Sequence, residues 1–166
     1  VETIRRHTDM TKEDAATRAL DLLQLVQIPS PERRLKAFPF ELSGGMRQRV
    51  VIAIALACNP GLLLADEPTT ALDVTVQARV LDLLRELRTS LGMSIVIVTH
   101  DLAVASSIAD DVAVMYAGRI VEQGTVRDIV RNPKHPYTLG LLHANVRPGQ
   151  RERPEAIPGS PPNLAR

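Results

Sequence analysis

Two acidic residues, Asp66 and Glu67, directly follow the apolar run Leu62-Leu63-Leu64-Ala65. Bounded upstream by the turn Asn59-Pro60-Gly61, that run reads as a strand buried on both faces of a parallel sheet. Ligands bind at the carboxyl edge of such sheets. Two adjacent carboxylates leaving a buried strand are costly unless a charged group meets them, and Mg²⁺ with a nucleotide phosphate is one such group. Upstream, Leu42-Ser43-Gly44-Gly45-Met46-Arg47-Gln48-Arg49 places a hydroxyl and two glycines at the mouth of an apolar helix. Free backbone N–H groups and the positive end of the helix dipole make an anion site there, read as a phosphate contact. Arg47 and Arg49 run against the dipole, which makes sense if an anion binds; otherwise they solvate an exposed helix end. His100 closes a second apolar run. Taken alone it is a polar turn residue, Asp73 is a helix cap, and Ser43 is a cap after a turn.

These groups need elements to carry them. Thr11 caps a helix from near Lys12, with Asp14 in its first turn and a stripe of Ala16, Ala19, Leu23 and Val26, ended by Pro29 and Pro31. Residues 32–41 are a connection in which Phe38 and Phe40 are packing residues. About residues 45–58 form a helix apolar nearly all round, hence buried on most sides. Val76, Val80, Leu83, Leu84, Leu87 and Leu91 mark a long amphipathic helix that Gly92 ends. Met93-Ser94-Ile95-Val96-Ile97-Val98-Thr99 is a second strand, and Asp101 caps the next helix. Two strands joined by a helix make a right-handed βαβ unit, which predicts Asp66, Glu67 and His100 on one sheet edge. Val112-Ala113-Val114-Met115-Tyr116 and Arg119-Ile120-Val121-Glu122-Gln123 flank Ala117-Gly118 as a hairpin, and residues 125–130 form a short capped helix. Seven of the 12 prolines lie from Pro133 onward, so regular packing should thin out after residues 137–142. A boundary is expected near Arg131 and an extended tail from about Arg147.

The composition narrows the classes. With 166 residues, 45% hydrophobic content and a net charge of +1, the chain suits one globular domain or a large piece of one. The near-neutral charge and the sparse aromatics, Phe38, Phe40, Tyr116 and Tyr137, argue against a nucleic-acid binder. Cys58 is the only cysteine, which rules out an intrachain disulfide and suits a reducing cytosol. No apolar run approaches the ~18–20 residues that cross a bilayer, so no direct membrane insertion is expected. The absence of an initiator methionine fits a fragment of a longer reading frame.

Leu-Ser-Gly-Gly-x-x-Gln before an apolar helix resembles the signature motif of the ATP-binding-cassette (ABC) ATPases. The apolar run with Asp66-Glu67-Pro68-Thr69 resembles their Walker B motif, Thr70-Ala71-Leu72-Asp73 their D-loop, and His100 their H-loop histidine. The resemblance implies a P-loop NTPase fold of the α/β class, represented here by a parallel βαβ core, part of the helical subdomain, a hairpin and a proline-rich tail. It implies ATP and Mg²⁺ as cofactors. Asp66 would hold Mg²⁺, Glu67 would orient and deprotonate the attacking water, and His100 would contact the γ-phosphate. Ser43, Gly44, Gly45 and Gln48 would contact the nucleotide, and Asp73 would help couple two ATP sites across a dimer. Asn132-Pro133-Lys134-His135-Pro136-Tyr137-Thr138 and Ile157-Pro158-Gly159-Ser160-Pro161-Pro162 further resemble the ATP-binding subunits of bacterial dipeptide and oligopeptide importers, a group shared with nickel and glutathione importers.

Residues 1–131 then correspond to the C-terminal portion of the nucleotide-binding domain, with the helical part and signature at 1–58 and the Walker B, D-loop and H-loop core at 59–131; residues 132–166 are the importer-type extension. The implied partners are a second ATP-binding subunit and two membrane-spanning permease subunits, on the cytoplasmic face of a bacterial inner membrane. The resemblance has one gap: the sequence contains no Gly-x-x-x-x-Gly-Lys-Ser/Thr, the loop that wraps the phosphates. The P-loop, the adenine-stacking loop and the Q-loop glutamine would all precede Val1. The chain is therefore expected to be inactive alone and to expose apolar sheet surface. Two alternatives remain at this level: a non-hydrolytic docking module that associates with an intact ATPase, and an ABC ATPase of DNA repair. In many members of the group a cysteine cluster able to hold an iron–sulfur centre follows the tail; none lies in this sequence.

Overall fold

The computed structural model describes residues 1–144, so the proline-rich segment expected from about Arg147 lies outside the described residues. The chain forms two compact units, Val1–Val98 and a second beginning at Thr99.

In the first unit, α1 (Glu2–His7) precedes α2 (Lys12–Leu25), whose start is fixed as expected: Thr11 Oγ1 accepts the Asp14 N–H at 3.1 Å. The stop is made earlier than by the prolines. Gln27 takes φ +57°, the Gln27 N–H donates to Gln24 O and the Ile28 N–H to Leu23 O, which is a Schellman ending. A short turn, α3 (Pro31–Arg34), and a 3₁₀ turn, Pro39–Glu41, lead to α4 (Gly44–Ala55). Phe38 and Phe40 are not core residues. They are 64% and 81% exposed and stack on each other, ring centroids 5.6 Å apart, because the 3₁₀ turn sets them side by side.

Leu62–Asp66 forms β1, Val74–Leu91 forms α5 and Ser94–Val98 forms β2. The strands pair in parallel from Leu62↔Ser94 to Asp66↔Val98, giving the expected βαβ core. Its burial differs from expectation. Leu63 is buried and Ile95, Ala65 and Ile97 are half-buried, but Leu62, Leu64, Val96 and Val98 on the other face are exposed. A parallel sheet normally carries cover on both faces; here one face has it. α4 departs in the same way: Ile52 and Ala53 are buried, whereas Arg47, Val51, Ile54, Ala55 and Cys58 form an exposed stripe at helical spacing. The helix packs against α2 and α5, which cover only its opposite side.

The second unit contains α6 (Leu102–Ile108), β3 (Asp111–Tyr116), β4 (Arg119–Thr125), α7 (Val126–Arg131) and α8 (Pro136–Ala144). Asp101 caps α6, accepting the Ala103 N–H at 2.8 Å, and Thr125 caps α7, accepting the Asp128 N–H at 3.2 Å. β3 and β4 form the expected antiparallel hairpin. Both turn residues, Ala117 at φ +51° and Gly118 at φ +75°, are left-handed, as a two-residue type I′ turn requires.

Candidate functional site

The first part of the site is the start of α4. Ser43 is its N-cap, with Oγ accepting the Met46 N–H at 3.4 Å. Ser43 and Gly44 are exposed, while Gly45 and Gln48 are half-buried. The first N–H groups of a helix have no intrahelical acceptor, so this exposed start presents donors outward. The two glycines differ in what surrounds them. A Cβ on Gly44 would sit 3.6 Å from Leu72 Cδ2, an ordinary contact, but one on Gly45 would lie 2.6 Å from Val76 Cγ1. Gly45 is therefore required by packing, because α4 begins directly against the start of α5.

α5 in turn begins at Asp73, whose Oδ1 accepts the Val76 N–H at 2.9 Å. Its role visible in the fold is that of a cap. The structure thus joins residues 43–45 with residues 72–76 at one helix-start junction.

Asp66 ends β1 and is exposed. Glu67 begins the turn that follows. Its N–H donates to Val98 O at 2.9 Å, one step beyond the β1–β2 ladder, and its own backbone is left-handed at φ +43°. A non-glycine residue there costs of order 1 kcal/mol, and strain of this kind concentrates at functional sites. The Thr70 hydroxyl donates to Glu67 Oε2 at 2.6 Å, which fixes the carboxylate against its own turn. Thr70 was not singled out from sequence as a partner of Glu67; the signal was a hydroxyl three residues after a carboxylate at a strand end. His100 belongs to the second unit, two residues after the last residue of β2.

Arg49 has a different use from the anion contact that its position suggested. Its Nη1 donates to Val26 O at 3.2 Å and to Gln27 O at 3.0 Å, the carbonyls at the end of α2. A cation belongs at a helix C-terminus, and Arg49 supplies one to a neighbouring helix. Arg47 is exposed on α4.

In the second unit the His-Pro-Tyr segment is tied to the hairpin. Val114 pairs with Glu122 and Met115 with Ile120, so Val121 is a bulge beside Glu122. Glu122 Oε1 accepts the Lys134 N–H at 2.8 Å and Oε2 the His135 N–H at 3.0 Å. The Tyr137 N–H donates to His135 Nδ1 at 3.1 Å, and the Tyr137 ring lies 4.5 Å from that of Tyr116. The Glu122 carboxyl is held below the ordinary glutamate range, first by the Thr138 hydroxyl and then by the Lys134 N–H, against an opposing desolvation; the His135 N–H and imidazole add to the lowering. The Thr138 hydroxyl is fully buried and forms no hydrogen bond of complete geometry, so it acts on Glu122 by proximity.

Among the described residues no three His, Cys, Asp or Glu side chains group as a metal cage. Mg²⁺ takes one or two carboxylates and completes its shell with phosphate and water. Asp66, exposed at the end of β1, can be such a ligand. No helix among the described residues is long and apolar enough to cross a membrane.

A family model described as ABC transporter matches residues 2–70, and one described as the C-terminal region of oligopeptide/dipeptide transporters matches residues 121–166. An ATP-binding cassette solved as a dimer in a post-hydrolysis state with ADP and Pi is 36% identical, with a TM-score of 0.60 over 71% of this chain and 50% of that one. A component of the cbiONQ ABC transporter complex from Clostridium perfringens is 32% identical, with a TM-score of 0.64 over 74% of this chain and 48% of that one. The fold is that of an ABC nucleotide-binding domain, a P-loop NTPase architecture. The oligopeptide transport ATP-binding protein OppD of Bacillus subtilis is 56% identical over 98% of this chain and 46% of its own length; OppD of Escherichia coli is 50% identical over 100% and 50%. The chain carries an ABC transporter segment followed by the oligopeptide/dipeptide transporter C-terminal region. It spans about half the length of the curated relatives it matches.

Proposed function

We propose that this chain is the C-terminal portion of an ATP-hydrolysing subunit that drives import of di- or oligopeptides, or a related solute such as nickel, across a bacterial inner membrane. Residues 1–131 supply part of the nucleotide-binding domain and residues 132–166 the importer-type extension. The observation that supports the reading is the junction of residues 43–45 with residues 72–76, where the capped start of α4 meets the capped start of α5. A helix start presenting N–H donors suits an ATP phosphate brought by a second ATP-binding subunit, so Ser43, Gly44, Gly45 and Gln48 contact nucleotide across a dimer and Asp73 lies at its seam. Glu67, steadied by Thr70, orients the attacking water and takes its proton; His100 contacts the γ-phosphate. Asp66 holds Mg²⁺, which supplies charge neutralisation on the phosphates. The dimer sits beneath two membrane-spanning permease subunits on the cytoplasmic face.

The test is Glu67→Gln in the complete subunit. ATP turnover should fall by about 10²–10⁴-fold, the usual worth of a general base, with ATP binding retained. Near-normal turnover removes Glu67 from this role.

A further inference from the structure

Gln27 is an odd residue in its place. It occupies the left-handed position after the last turn of α2, at φ +57°, where helices favour glycine. Its side chain engages two other helices. Gln27 Nε2 donates to Glu86 Oε2 on α5 at 2.9 Å, and Gln27 Oε1 faces Arg49 Nη1 of α4 at 3.5 Å, while that same Nη1 donates to the Val26 and Gln27 carbonyls. The amide orientation is self-consistent, with its nitrogen toward a carboxylate and its oxygen toward a guanidinium. From the middle of α2, Arg18 Nη2 donates to Asn59 Oδ1, in the turn that follows α4, at 2.5 Å. α2 is thus tied to α4 at its own C-terminus and, from its middle, to the turn after α4, and the tie through Gln27 also reaches α5.

We propose that Arg49, Gln27 and Glu86 form a three-helix clamp that sets the approach of the α4 start to the α5 start, making Gln27 and Arg49 positioning residues for Ser43. The inference rests on the phosphate-contact reading of residues 43–45. The clamp acts through geometry alone: the short path from Arg49 to Gly45 is one turn of α4, and Gly45 has no room to move toward Val76. A side chain on which this geometry depends explains why a glutamine occupies a glycine position.

The discriminating variant is Gln27→Gly in the complete subunit, because glycine suits the left-handed backbone and removes only the bridge. If the clamp works as described, the thermal midpoint holds or rises while kcat for ATP falls about three- to tenfold with KM for ATP unchanged. Amide exchange of residues 43–47 should quicken several-fold, with the interior of α2 unaltered. Arg49→Ala should show the same pattern more strongly, and Arg49→Lys should restore part of it. Wild-type kcat and exchange in Gln27→Gly overturn the clamp. Glu67→Gln, run in parallel, separates the two ideas: if it leaves turnover intact, the site reading has failed, and the exchange of residues 43–47 alone then decides the clamp.

Discussion

The two strand pairs are built on opposite terms. β1 and β2 run parallel, joined through all of α5, and leave Leu62, Leu64, Val96 and Val98 bare on one face. β3 and β4 are joined by a two-residue turn of their own chemistry and are fastened to the next segment by one carboxylate, Glu122. An antiparallel pair can be specified locally; a parallel pair depends on what crosses over and covers it. Asp66 and Glu67, two of the residues proposed to handle ATP, hang from the dependent pair, whereas the hairpin serves the His-Pro-Tyr segment. Perturbations near β1 should therefore spread through the first unit, and those in the hairpin should stay local.

The largest effect expected on the fold is at Gly45. Gly45→Ala places a Cβ against the stiff, β-branched Val76. Overpacking of this kind costs roughly 1–3 kcal/mol, of which helix propensity returns at most about 1. Urea unfolding should show the loss, and Gly45→Ala with Val76→Ala should recover most of it. Gly44→Ala, with ordinary room beside Leu72, should stay within about 0.5 kcal/mol of wild type. It is the cleaner probe of the phosphate contact, since it can lower ATP turnover without a packing penalty. Equal destabilisation by the two alanines would mean that the α4–α5 junction is looser than described.

The contrast also marks what could be read from sequence. The caps Thr11, Ser43, Asp73, Asp101 and Thr125 act within three residues of themselves, so their types and positions announced them. The acidic pair at the end of β1 and the hairpin turn were legible for the same reason. Burial was not. An all-apolar α4 and β1 predicted cover on most sides, but cover depends on neighbours distant in sequence, and the residues that meet these elements leave Val51, Ile54, Leu62 and Leu64 exposed. Arg49 was misread because its acceptors lie 22 and 23 residues away, at the end of another helix. Glu122 gave no local signal, since its task follows from the bulge at Val121 and from a loop 12 residues on.

Acid should act on the hairpin side first through Glu122. Its pKa is lowered in the folded chain, so its contribution is present above the ordinary glutamate value and is lost as pH falls through the lowered one. As pH falls below the ordinary glutamate value, the Lys134 and His135 amides should lose their shifted NMR resonances together with the titration of the Glu122 carboxyl, while the β1–β2 amides keep theirs until global acid unfolding. Glu122→Gln retains one acceptor oxygen and should hold only one of the two amides. Simultaneous change in both strand pairs would contradict local fastening.

The smallest effect, and the sharpest on locality, is at the hairpin turn. Ala117 sits at φ +51° without a glycine's freedom or an asparagine's tolerance of that region. Ala117→Asn should relieve strain worth a few tenths to about 1 kcal/mol, and unlike Ala117→Gly it does not enlarge the entropy of the unfolded chain. Because the turn sets the register of β3 on β4, the gain should appear as slower hydrogen exchange at amides of Asp111–Tyr116 and Arg119–Thr125. Amides of Leu62–Asp66 and Ser94–Val98 should not respond. Protection rising equally in all four strands would instead make the two pairs one cooperative block, and the parallel pair would then draw stability from a turn that lies outside its own crossover.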